Sequence, residues 1–363
     1  MGGQWQLVKT DGLAPAPRGA HACVALGTRV LVFGGADRAP ITLNDLWVLE
    51  TGGCKLLPRS GATLTAIGDL VYLFGGTEPV SGLCFNELKV LDTNTWTWSD
   101  VQTEGSQPPP RHSHCSGCLA DVCLIVYGGA GYQGPLQDVW IYNSLQNSWN
   151  RPVVSGEQPA AREMHTGCMI DSTTLLVYGG RGAEFKVLCD AALFDARLMK
   201  WTAIEPTPFS RCAHSSVVLP APRPDAQPVA GTATAAAGGE AGISGAGEQP
   251  QQLDGSRAAG GEEPASSSGG GGGACRVLMY GGYSGEAVEG DILQIDGQTL
   301  EIELVRRGPR ESDKGGTVPP VRFAHSAALV PAPGGPEGAY AMVVFGGVNP
   351  REDMNDVAVW VQG

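Results

Sequence analysis

Six times along the chain a short apolar run ends in an aromatic residue followed by Gly-Gly. The copies are VLVFGG ending at Gly35, VYLFGG at Gly76, LIVYGG at Gly129, LLVYGG at Gly180, VLMYGG at Gly282 and MVVFGG at Gly347. Self-similarity at a spacing of roughly 50 residues is the signature of a propeller or a solenoid. In such a chain one supersecondary unit recurs, and each copy buries its apolar surface against its neighbours. Composition agrees: 53 glycines and 26 prolines among 363 residues, with 17% charged, suit many short strands joined by tight turns.

Each Gly-Gly sits inside a longer cassette. Upstream, an arginine is followed three residues later by a histidine: Arg18 and His21, Arg111 and His114, Arg162 and His165, Arg211 and His214, Arg322 and His325. The second copy departs, with Arg59 but Ala62 in the histidine place. Nine to eleven residues after the second glycine an acid opens a further strand: Asp45, Glu87, Asp138, Asp190, Asp291 and Asp356. A tryptophan strand often closes the unit, at Trp98, Trp149 and Trp201. The cassette therefore holds four strands, a to d. Strand b is apolar on both faces, as in Leu70 to Phe74 or Leu124 to Tyr127, so it is expected between two layers rather than against water. Gly-Gly supplies a sharp reversal at positive φ and lets neighbouring units approach closely. The acid is expected either to accept N–H groups of its turn or to pair with a repeat arginine.

Gly-Gly after strand b, a following acid and a later tryptophan, at this period, resemble the kelch repeat. The resemblance covers the whole chain except one insert and implies an all-β, six-bladed kelch β-propeller over residues 1–363. Two units depart from the pattern: Cys54-Lys55-Leu56 and Leu300-Glu301-Ile302 stand where the tryptophan belongs, and their outer strands should be less well filled. The last cassette stops after strand c, at Val357 to Val361, whereas Trp5 to Val8 is a tryptophan strand with no cassette before it. The N-terminal segment is thus expected to supply strand d of the sixth blade and close the ring.

The copies at Gly180 and Gly282 stand 102 residues apart, about twice the usual spacing. The excess is residues 221–274, almost wholly Ala, Gly, Ser, Pro and Gln, with no aromatic residue. Two arginines against six acids give it a charge of −4 and leave −9 for the propeller. Such a segment cannot bury enough apolar area to offset its ordering entropy, so it reads as a disordered insert looping out between strands a and b of the fifth blade. Closing so long a loop costs roughly 2 kcal/mol more than a short one, which the fold can carry.

A net charge of −13 with no basic stripe argues against sequence-independent nucleic-acid binding. The apolar runs are too short to span a membrane. The opening MGGQWQ has neither the basic nor the apolar region of a secretory signal, and Gln6 stands where myristoylation needs Ser or Thr. Ten cysteines in a long chain with no export signal read as reduced, mostly buried thiols of a cytoplasmic or nuclear protein.

Residues 111–118 read RHSHCSGC, two histidines and a Cys-x-x-Cys that could supply four zinc ligands. This stretch is strand a, however, and residues three apart on a strand point to opposite faces. His114 is also the repeat histidine, and only His112 of the six histidines lies outside the repeat. No nucleophile elbow or His-Glu-x-x-His motif occurs, and no Lys-Ser or Lys-Thr follows Gly-Gly as a phosphate loop requires. The bare architecture is similar to that of copper-dependent galactose oxidases and nitrile-specifier proteins, but the Glu-x-x-x-Asp-x-x-x-His iron motif of the latter has no counterpart here. The chain therefore reads as non-catalytic, with no cofactor and no metal.

Binding remains. In kelch propellers the b–c and d–a loops share one face around the central channel, and partners commonly dock there. The b–c loops carry Asp37 and Arg38, Glu78, Tyr132, Arg181 with Glu184 and Phe185, Tyr283 and Glu286, and Asn349 with Arg351. Arginine and aromatic residues dominate binding hot spots, so Arg38, Tyr132, Arg181, Phe185, Tyr283 and Arg351 are the candidate partner-binding residues. Arg38, Arg181 and Arg351 could clamp an acidic peptide segment; the plain alternative is that they are solvated loop charges. The chain resembles single-domain kelch proteins such as the Rab effector with kelch motifs. It is expected to be a monomeric protein–protein interaction module, a scaffold or effector in trafficking or cytoskeletal complexes. Competing readings are a substrate receptor of a ubiquitin ligase, although no length remains for a BTB domain, F-box or cullin-box helix, and a metal-dependent kelch enzyme.

Overall fold

The apolar runs before Gly-Gly hydrogen-bond on both edges, and this pairing recurs six times. The structure, a computed structural model, describes residues 4–8, 14–26, 29–37, 42–47, 59–78, 80–220, 275–309, 319–332 and 339–361. The insert at 221–274, the segment from Cys54 to Leu56 and Arg38 lie outside the described residues.

Blade 3 shows the complete unit. Strand a, Cys115–Leu119, pairs with strand b, Cys123–Tyr127; b pairs with c, Val139–Asn143, and c with d, Ser148–Asn150, all antiparallel. Blades 2 and 5 repeat this order, from Thr63–Ile67 to Thr97–Asp100 and from Ser215–Leu219 to Ile302–Arg306. Blade 4 adds a fifth strand, Ser155–Gly156, parallel to its outer edge Lys200–Ile204. In blade 1 the described residues hold strands a to c, ending at Leu46–Trp47. Blade 6 has strands Ser326–Pro331, Tyr340–Phe345 and Val357–Val361, and its fourth strand is Gln4–Val8, with Trp5 opposite Trp360 and Val8 opposite Val357. The expected closure of the ring by the first strand is realised. The helical content of the described residues is one 3-10 turn, Ala183–Phe185.

Strand b explains the core. Its side chains alternate between the two neighbouring blades, as the pleat dictates. Leu124 and Val126 join Tyr72 and Phe74 of blade 2, while Ile125 and Tyr127 join Leu175, Val177 and Trp201 of blade 4. Equivalent clusters fill the seams between blades 1 and 2, 4 and 5, and 5 and 6. The outer strand of blade 5 is the less well filled, as expected: Ile302 and Leu304 are half-buried, whereas Trp149 and Trp201 are buried.

Candidate functional site: the b–c loop face

The repeat arginines, 0–5% exposed, lie beneath the loops. Each pairs with the acid opening strand c of its own blade. Arg111 reaches Asp138 by two hydrogen bonds of 2.8 and 3.0 Å, and Arg322 reaches Asp356 by two of 2.7 and 2.8 Å. Arg162 pairs likewise with Asp190, Arg18 with Asp45, Arg59 with Glu87, and Arg211 with Asp291. Pairing with arginine is therefore a role all six acids share. Burial alone would raise the Asp138 carboxyl, but the hydrogen bonds and charge of Arg111, with the Trp140 indole, hold it below its ordinary value. Five of the six arginines also donate to the carbonyl of the first glycine of their own Gly-Gly, as Arg111 does to Gly128 at 2.9 Å.

The backbone of the same arginine stitches its blade to the preceding one. The Arg162 N–H donates to the Leu136 carbonyl at 2.9 Å, and the Gly129 N–H donates to the Arg162 carbonyl at 2.9 Å. A Cβ on Gly179 would lie 2.4 Å from the Arg211 carbonyl oxygen, so only glycine permits this approach. Two residues after each arginine stand Ala20, Gly61, Ser113, Met164, Ala213 and Ala324, at φ between 52° and 65°. Each donates its N–H to the carbonyl of its counterpart in the preceding blade, at 2.7–2.9 Å. These six bonds form a closed belt around the channel mouth.

The histidine comes next and works as a wedge between blades. Its ring meets the strand b aromatic of the preceding blade edge-on: His114 on Phe74 and His165 on Tyr127, both with centroids 5.3 Å apart. Nε2 of His21, His114 and His214 bonds a hydroxyl of that blade's strand a, on Ser326, Thr63 and Thr166 at 2.6, 2.8 and 3.0 Å. Blade 2 has Ala62 instead, and the position it would address in blade 1 is Ala22. Burial, and then the adjacent repeat arginine, push His21, His165 and His214 down to about 3. These neutral rings line a central cavity of about 140 Å³. Cys115 packs toward blade 4 and Cys118 toward blade 2, the opposite facing expected of a strand. Among the described residues no group of three or more His, Cys, Asp or Glu side chains is placed to hold a metal ion. Burial pushes the thiols of Cys115 and Cys168 up to about 12.

Above this frame stand the b–c loops. Antiparallel order puts them, with the d–a connections, at the end where strand a begins. Tyr132 is 69% exposed, and its hydroxyl accepts the Cys84 N–H of blade 2 at 3.0 Å, tying two loops together. Phe185 is 77% exposed and covers the Arg181 guanidinium at 5.1 Å. Arg181 in turn donates to Glu163 at 3.1 and 2.8 Å. Tyr283, partly exposed, donates its hydroxyl to the Gly285 carbonyl at 2.6 Å. Arg351 lies on the blade 6 loop, where the Asn349 side chain accepts the N–H groups of Arg351 and Glu352. The structure thus brings Tyr132, Phe185 and Tyr283 onto the loops of three successive blades. Arg181, one of the three arginines of the expected clamp, faces Glu163, which is 7% exposed. Glu163 escaped sequence reasoning because its place is held by Gly19, Ser60, His112, Cys212 and Phe323 in the other blades, so no period marks it.

Residues 49–221 match the KLHDC2/KLHL20/DRC7 Kelch-repeats domain. Over 220 residues the chain is 35% identical to Adagio-like protein 1 of Oryza sativa subsp. japonica, covering 59% of this chain and 28% of that protein. It is 28% identical over 239 residues to host cell factor of Drosophila melanogaster, covering 57% and 13%. An F-box/kelch-repeat protein of Arabidopsis thaliana is 27% identical over 198 residues, covering 53% and 33%. The chain spans a third or less of the length of each of these relatives. Six blades, each carrying the Gly-Gly cassette, make the chain a six-bladed β-propeller whose repeats are similar to kelch repeats.

Proposed function

We propose that this propeller is a non-catalytic protein–protein interaction module, a scaffold or effector that takes partners on the b–c and d–a loop face. One observation carries the reading. Of the large apolar side chains exposed among the described residues, Val80, Leu83, Tyr132, Phe185 and Tyr283 stand on b–c loops and Val153 follows strand d of blade 3, whereas Leu145 and Leu198 lie in turns at the other end. Scattered apolar residues are ordinary on a surface, but a cluster at one end marks an interaction site. Neutral repeat histidines and thiols held in the S–H form support a non-catalytic role. Of the three arginines that could clamp an acidic segment, Arg181 also pairs with Glu163. The F-box in the name of one relative favours a second reading, recognition of substrates for a ubiquitin ligase.

Affinity purification with mass spectrometry tests the face. A variant combining Tyr132→Ser, Phe185→Ser and Tyr283→Ser is expected to lose partners that Leu145→Ser with Leu198→Ser retains. Loss in the second variant alone would overturn the assignment.

A further inference from the structure

The b–c loop of blade 4 holds a turn its sequence does not favour. The Lys186 N–H donates to the Ala183 carbonyl at 3.1 Å and the Gly182 N–H to the Lys186 carbonyl at 2.9 Å. Between them Glu184 and Phe185 both occupy the left-handed region, at φ 54° and 59°. Two consecutive residues at positive φ define the type I′ reversal, the turn of Asn-Gly and Gly-Gly, and a β-carbon at either position is strained. The fold gains little in return, since Phe185 is 77% exposed. What the strain achieves is display. Glu163, buried at the channel rim, fixes Arg181; Arg181 fixes the inner face of Phe185; the outer face is left to solvent. Tyr132 and Tyr283 on the adjacent blades are likewise pinned through their hydroxyls, so three rings are presented with little freedom to lose on binding.

Charge narrows what would land there. Leaving aside the acids that pair with repeat arginines, the described b–c loops carry six acids, among them Glu184, Glu286 and Glu352. The bases there are three, Arg181, Lys186 and Arg351, and the chain as a whole has a net charge of −13. Such a surface attracts cationic segments and repels acidic ones. Exposed aromatic faces add to this, because they accept Arg and Lys by cation–π contact.

We infer that the aromatic strip over blades 3 to 5 takes a basic peptide segment carrying a large apolar anchor, which seats on the outer face of Phe185. This rests on the loop face being the docking surface, and it names the partner's chemistry. Fluorescence polarisation with the full chain tests it, using three labelled peptides of equal length: Lys and Arg around a Trp, Asp and Glu around the same Trp, and the basic peptide with Ser for Trp. The basic tryptophan peptide is expected to bind at least about tenfold more tightly than either control, and Phe185→Gly to cost about tenfold or more. The Phe185→Gly melting midpoint is expected to match or exceed that of the parent, because glycine relieves the turn. Preference for the acidic peptide, lost on Phe185→Gly, would overturn the basic assignment and leave the docking face standing. Retention of the basic peptide by Phe185→Gly, or binding of none of the three, would overturn the inference. Loss on Leu145→Ser with Leu198→Ser, and not on Phe185→Gly, would overturn the face itself.

Discussion

A histidine in water takes up a proton near pH 6.5, yet His21, His165 and His214 are held near 3, by burial first and by the adjacent repeat arginine second. His114 and His325 are lowered for the same reasons. The unfolded chain therefore binds protons that the native fold refuses. Stability is complete above about pH 6.5 and drains away as pH falls toward 3, the sign expected when a folded-state value lies below the unfolded one. At pH 5 each of the three costs about 2 kcal/mol, since the unfolded form is by then about 1.5 pH units into its titration. Together they approach the stability of a whole domain, about 5–15 kcal/mol. The melting midpoint is expected to drop steeply between pH 6.5 and 5, before carboxylates such as Asp138 protonate. A midpoint level across that interval would mean that the rings take up protons inside the fold.

Between blades, histidine and hydroxyl act as one element, and the seam between blades 1 and 2 lacks both halves. Ala62 replaces the ring and Ala22 replaces the acceptor, so neither single change rebuilds the wedge. Ala62→His alone places an imidazole beside a methyl group, and Ala22→Thr alone buries a hydroxyl with no ring to meet it. Made together they should recover the bond seen between His114 and Thr63 at 2.8 Å. The double variant is expected to exceed the sum of the single changes by about 1 kcal/mol in chemical unfolding. Strict additivity would show that the seam has closed by other packing. The same pair marks the limit of what was legible in the sequence. Arginine, acid and Gly-Gly announce themselves because all six copies keep them. The hydroxyl position reads Ala22, Thr63, Cys115, Thr166, Ser215 and Ser326, alike only in being small, and its meaning lies in a contact between neighbouring repeats. Strand d of blade 5 was legible through a missing tryptophan, and Ile302 and Leu304 are correspondingly half-buried. On the loop face the residue types pointed to Phe185 and Arg181, but the partner of Arg181 could not be read, because Glu163 belongs to no pattern.

At the scale of the whole ring, closure has an inner and an outer part. Near the axis the sixth-to-first seam keeps the same three backbone bonds as the others: Arg18 N–H to Met354 at 3.1 Å, Gly347 N–H to Arg18 at 2.9 Å, and Ala20 N–H to Ala324 at 2.8 Å. At the rim, Gln4–Val8 runs antiparallel along Val357–Val361 over five residue pairs. The incomplete final cassette and the leading tryptophan strand made the outer part visible in the sequence, but nothing there announced the inner one. Removing residues 1–9 deletes the ladder and leaves Val357–Val361, with its buried Trp360, as a bare edge. Unpaired edges are templates for association. The truncated chain is therefore expected to melt markedly lower and to associate as concentration rises. Its far-ultraviolet circular dichroism at low temperature should stay close to that of the full chain, because the belt at the channel mouth still links all six blades. An unchanged melting midpoint would show that the outer ladder contributes nothing to the closed ring, and loss of the β spectrum would show that the inner belt cannot hold it alone.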